Sequence, residues 1–198
     1  MLQKYADAHT YDAGARNVSV GSEPMQPLAA LPHLKGTKPP STMATALRFG
    51  VIFALMQFVW IIGEYLVGLH TVYIHLHPTY TNLVMIPSIA IMIWGLHARK
   101  AELGGTLTYL QAMGQGIGVG ATVGVLSVGV QYLFFSFINP NFFDDFISYA
   151  VDHQLATLDA AEAYFNFTSY AVQGAVFAPI AGLATNAVAG LFVKTSWR

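Results

Sequence analysis

Cysteine is absent from the 198 residues, which removes disulfides, thiolate metal ligands, cysteine nucleophiles and c-type haem attachment together. Charge is scarce as well: 10% of residues are Asp, Glu, Lys or Arg, against about 25% in a soluble domain. Such a chain cannot cover a water-facing surface in the ordinary way. Nine Lys and Arg against ten Asp and Glu leave a formal charge of −1, so no basic field is available to hold nucleic acid. The sequence has no His-Glu-x-x-His motif, no convincing Ser/His/Asp set and no paired catalytic carboxylates. The glycine-rich AMGQGIGVGATVG departs from G-x-G-x-x-G, lacks the Lys-Ser/Thr of a P-loop and lies within an apolar run instead of after a strand. The expectation is a protein that is not an enzyme and has no catalytic residues.

Apolar sequence is what the chain has in plenty: 55% of its residues are hydrophobic, and the mean hydropathy is +0.50. The apolar residues fall in blocks long enough to cross a bilayer core of about 30 Å. Spans are predicted over about 49–69, 80–97, 108–138 and 169–193. The second is short and contains Pro87, a site for a kink. The third opens on Thr108-Tyr-Leu-Gln111, a capping-box pattern, and is stopped by Asn139-Pro140. The fold class read from this pattern is all-α, a polytopic membrane protein of four transmembrane helices.

Residues 1–46 are rich in Pro, Gly, Ser and Thr and have no core of their own. They read as an extended cytoplasmic tail held by a partner, and MLQKYADAHT lacks the apolar stretch of a secretory signal. All nine basic residues fall in this tail or just after it (Lys4, Arg16, Lys35, Lys38, Arg48), between spans two and three (Arg99, Lys100), or at the C-terminus (Lys194, Arg198). The positive-inside rule then places both termini in the cytoplasm. On the opposite side, 142–165 is expected to form one amphipathic surface helix, with Phe143, Ile147, Val151, Leu155 and Leu158 on its apolar face and Asp144, Asp145, Asp152, Asp159 and Glu162 mainly between them. Asn17-Val-Ser19 and Asn166-Phe-Thr168 match the glycosylation pattern without altering this picture.

Glu64 is the one formally charged residue within a confident span, and a carboxyl at that depth costs roughly 2.5 kcal/mol or more unless it is partnered or protonated. Its distance from the outer end groups it with Gln131 and Gln173, and with Gln57 two turns away on its own helix, in one buried polar layer. That layer suits a hydrogen-bonded clamp, in the sharper reading a proton or ligand site, or else interfacial snorkelling of the carboxylate. A second layer pairs Gln115 with Asn186. His70, His75 and His77 in LHTVYIHLHPTY are candidate metal ligands, since His-x-His can present two imidazoles on one side of an extended segment. With no carboxylate at an established spacing, a hydrogen-bonded trio is favoured over a metal site, and His97, beside Arg99, is the weaker site for a pigment or haem. Gly116, Gly120 and Gly124 form a small-residue stripe, answered by Gly174, Ala178, Gly182, Asn186 and Gly190, so spans three and four should pack closely or receive another protein.

FGVIFALMQFVWIIGEYLVGLH, IHLHPTYTNL, GGTLTYLQAMGQGIGVG and FINPNFF together resemble an uncharacterised family of small bacterial four-helix inner-membrane proteins, classed as a domain of unknown function. The resemblance covers about residues 45–194. It implies a bacterial origin, the inner membrane and the four-span layout, and carries no activity with it. The expected function is a non-catalytic accessory or scaffold subunit of a larger membrane complex, photosynthetic or respiratory in kind. Its partners would be the lipid bilayer and other subunits meeting the tail and the small-residue faces, with pigment or lipid contact but no resident cofactor. The alternatives are a small transporter or proton-handling protein using Glu64, and a metal or cofactor binder using the outer-loop histidines.

Overall fold

The computed structural model describes residues 41–196. The tail up to residue 40 and the Asn17-Val-Ser19 pattern lie outside the described residues. Every element named here is helical: α1 (Thr42–Leu66), α2 (His77–Tyr80), α3 (Met85–Glu102), α4 (Tyr109–Leu133), α5 (Phe142–Asp152), α6 (Leu158–Tyr164) and α7 (Phe167–Val193). Short 3₁₀ turns at Ile74–Leu76 and Thr81–Val84 flank α2, so the second span runs from Ile74 to Glu102. The four spans contain 25, 29, 30 and 27 residues. At 1.5 Å per residue even the shortest reaches about 38 Å, more than the hydrocarbon core requires. The chain is a multi-pass, all-α membrane protein.

The helix ends follow local chemistry. Ser41 caps α1 by accepting from the Ala44 amide at 3.2 Å, so this helix starts several residues before the apolar run that reveals it. The Thr108–Gln111 capping box forms in full: Thr108 Oγ1 accepts from the Gln111 amide at 3.2 Å and Gln111 Oε1 from the Thr108 amide at 2.9 Å. Pro87 falls in the first turn of α3, where its missing N–H breaks no bond within that helix. The proline in a helix interior, among the described residues, is Pro179 of α7.

One end of the bundle gathers the start of α1, the end of α3, the start of α4 and the end of α7. Arg99 Nη2 donates to Thr42 Oγ1 at 3.0 Å, and Arg99 Nη1 and Thr45 Oγ1 both donate to Glu102 Oε2. Lys100 Nζ donates to the Val193 carbonyl at 2.8 Å, and Leu107 and Thr195 exchange backbone and hydroxyl bonds. We term this the basic end. The other, acidic end carries 67–84 and α5–α6.

Helices α4 and α7 form the tightest contact, and the reason is the absence of side chains. A Cβ on Gly116 would lie 2.3 Å from the Gly182 carbonyl oxygen, one on Gly182 the same distance from that of Gly116, and one on Gly120 2.4 Å from that of Ala178. Gly124 lies against the Ala175 backbone, and Gly190 against Ala112 and Tyr109. Backbone-to-backbone approach of this kind needs small residues at every crossing point.

The predicted surface helix over 142–165 is instead two helices. Gln154, at φ 55°, ends α5 by bonding its amide to Val151, while Leu155 bonds back to Ala150. The buried face is also displaced by one residue from the predicted one. Phe142, Phe146 and Ala150 are buried, whereas Leu155 and Leu158 are exposed. Both stripes have helical period, and only contact with Phe134 and Phe135 selects the first.

Candidate metal centre

The turn after α1 creates the site. Gly68 sits at φ +82°, a conformation open to glycine, and its amide bonds to Tyr65 O at 3.0 Å while that of Leu69 bonds to Glu64 O at 2.9 Å. This helix stop reverses the chain and brings His70 back over the end of the helix it has just left. His70 Nε2 lies 3.5 Å from Glu64 Oε2. The 3₁₀ turn and α2 then deliver His77, whose Nε2 lies 3.9 Å from the same oxygen. Trp60, one turn earlier than Glu64, donates its indole N–H to Glu64 Oε1 at 2.7 Å, and the Thr81 hydroxyl reaches the same carboxylate.

The group is nearly dry. Glu64 is 6% exposed and His70 0%, and the His77 side chain is 17% exposed. Phe134, Phe142 and Phe146 present their edges or faces to His70 with centroids 5.0–6.1 Å away, and Tyr65 packs alongside. The wide helical turn Phe134–Ile138, closed by Asn139 N–H to Phe134 O at 2.9 Å, carries Phe134 into this wall. His70 Nδ1 is buried with no hydrogen-bond partner, and the equally buried Nε2 meets only the Glu64 carboxylate. A buried ring nitrogen left without a partner is costly to hold unless something else binds it.

One donor atom from each of Glu64, His70 and His77 can be chosen so that all three lie within 4.8 Å of one another. Two imidazoles and a carboxylate are a recurrent ligand set for Zn²⁺, with metal–ligand bonds of about 2.0–2.2 Å and donors therefore about 3.3 Å apart in a tetrahedron. The observed separations need a contraction of a fraction of an ångström to about one and a half. Trp60 and Thr81 are placed to steady the carboxylate, as outer partners of a metal ligand do.

The sequence grouping of Glu64 with the glutamines is not what the structure assembles. No hydrogen bond joins Glu64 to Gln57, Gln131 or Gln173 among the described residues. Gln57 and Gln131 instead line a separate cavity, with Gln173 half-buried on α7. Gln115 and Asn186 are both fully buried but do not pair. Gln115 donates to Gly95 O at 3.2 Å and Asn186 to Ala112 O at 3.0 Å. His75 is exposed and outside the cluster, because its segment is helical, and the one-sided geometry of an extended His-x-His does not apply. His97 is exposed on α3. The carboxylate that the sequence did not place beside the histidines is Glu64 itself. The i, i+4 spacing of Trp60 and Glu64 was a readable signal, whereas Thr81 and the phenylalanine wall had none.

Residues 48–195 match the family described as Protein of unknown function (DUF4199). The chain belongs to this family. No curated protein and no solved structure shows significant similarity to it. The family match reaches into all four spans and includes the Glu64–His70–His77 cluster, and assigns the cluster no role.

Proposed function

We propose that this DUF4199 protein is a non-catalytic, multi-pass subunit of the bacterial inner membrane whose working part is a site for one divalent transition ion of the zinc class, held by Glu64, His70 and His77. The observation that carries the reading is His70: wholly buried, with no partner at Nδ1, and with Nε2 facing the Glu64 carboxylate beside a second imidazole. Three protein ligands leave a fourth position for water or for a group supplied by a partner subunit. The basic residues Arg48, Arg99, Lys100 and Lys194 support a cytoplasmic basic end, with the metal site towards the opposite face.

The test is metal content. Protein purified in mild detergent, stripped with chelator and reloaded with Zn²⁺ or Co²⁺, should hold one equivalent, and Co²⁺ should give the visible absorption of a four-coordinate site. His70→Ala, His77→Ala and Glu64→Gln should each lose it while still eluting as folded protein. Wild type that retains no ion under these conditions would refute the metal reading and leave the cluster as a proton-handling group centred on Glu64.

A further inference from the structure

The bundle holds a second site, unconnected with the histidines. Between α3 and α7, floored by α1 and α4, lies a cavity of about 370 Å³. Small residues are prominent in its lining: Gly120, Gly174, Ala178, Ala181 and Gly182. That volume falls within the range of small-molecule sites. Its rim carries Met85, Ile89 and Phe177, which are 57%, 42% and 63% exposed on the lipid-facing surface of the spans. Entry is therefore sideways, from the bilayer.

The lining is unusual for a void between membrane helices, because polar groups converge on it: Gln57, Ser88, Ser127, Gln131 and Thr185. Ser88 spends its proton on Val84 O at 2.7 Å and Ser127 on Gly124 O at 2.9 Å, so both can offer the cavity lone pairs. Gln131 Oε1 is buried with no partner. Its amide has room because residue 174 is glycine; a Cβ there would lie 2.8 Å from Gln131 Nε2. In hydrocarbon an unpaired amide oxygen has no water to turn to.

We propose that this cavity binds a lipid-soluble molecule that bears a hydroxyl group, with the hydroxyl on the Gln131 amide and the apolar body running out past Phe177 and Met85. A hydroxyl fits better than a carbonyl or an alkane, since it donates to the orphaned oxygen and accepts from the neighbouring amide N–H with one group. A charged headgroup is disfavoured, because no cationic or anionic side chain lines the cavity.

The experiment uses the full chain in lipid nanodiscs and a long-chain alcohol carrying a diazirine, with crosslinks mapped by mass spectrometry. Labelling should concentrate on the cavity-facing parts of α4 and α7 and be competed by excess 1-dodecanol but not by n-dodecane. In Gln131→Leu, dodecanol should compete about five- to tenfold less well, the loss of roughly one hydrogen bond. Labelling spread evenly over lipid-facing helix surfaces would overturn the proposal, as would equal competition by dodecane. Both of those readouts come from wild type, so they stand even where Gln131→Leu fails to fold.

Discussion

His70 Nε2 rests 3.5 Å from Glu64 Oε2, although the two residues belong to a helix and to the loop that leaves it and both are shut away from solvent. Only a tight reversal brings residues six apart into this contact, and Gly68 supplies it. Gly68→Val should therefore abolish stoichiometric metal loading, because a β-branched residue does not tolerate φ +82° and the turn must open. Metal analysis of the variant beside wild type checks this; an unchanged ion content would mean that the turn is not what positions His70.

The α4–α7 seam allows a prediction with its own control. Gly182→Ala and Gly116→Ala each place a methyl where the other helix's backbone stands. Each should cost on the order of 1–3 kcal/mol through forced separation, and Gly182→Leu should be worse. Gly114 and Gly129, where no neighbouring atom lies within 4 Å of the place a methyl would take, should accept Ala without loss. Thermal unfolding in detergent, followed by the loss of monodisperse protein, distinguishes the two sets.

At the basic end, Arg99 ties the first turn of α1 to α3 through Thr42 and Glu102. Arg99→Ala should release that turn at a cost of about 1–3 kcal/mol. The chain has no cysteine and Ala46, just past that turn, is buried, so a single Ala46→Cys reports directly: its reaction with a water-soluble maleimide should accelerate in the Arg99→Ala background and remain slow otherwise.

The same lack of cysteine gives a clean test of orientation. Thr106→Cys, in the basic-end connection, should react only with reagents admitted to the cytoplasm, and Leu155→Cys, exposed between α5 and α6, only from outside. The reverse pattern would invert the topology.

Asp145 on α5 carries a pKa raised above its ordinary value, chiefly by partial burial and secondarily by Asp144. A raised carboxyl pKa means that the folded state holds the proton longer than the unfolded state, so ionisation penalises folding as pH rises past the ordinary aspartate range. Asp145→Asn should accordingly melt higher than wild type near neutral pH, with the gap closing below the ordinary value. A gap that widens on acidification would contradict this sign.

Much of the architecture followed from one-dimensional features. Blocks of apolar residues gave the four spans, because a bilayer imposes both length and composition on anything that crosses it. The Thr108–Gln111 box marked its helix start because capping is a contact between residues three apart. The small-residue stripes lie where α4 and α7 meet, at a period that a straight helix repeats without outside help. Glu64 drew notice on its own, since charge at membrane depth is expensive wherever it occurs.

Tertiary structure decided the rest. The partners of Glu64 depend on a reversal at Gly68 whose direction no hydropathy pattern encodes, so the carboxylate was grouped with glutamines at a similar depth instead of with His70 and His77. The break at Gln154 has no glycine or proline to announce it, and the buried stripe of α5 was chosen over its neighbour by the phenylalanines it meets. Span length, capping and stripe period are properties of single segments, fixed by nearest neighbours and solvent. Which donor atoms face one another across a loop is a property of how the segments pack, and only the folded bundle holds it.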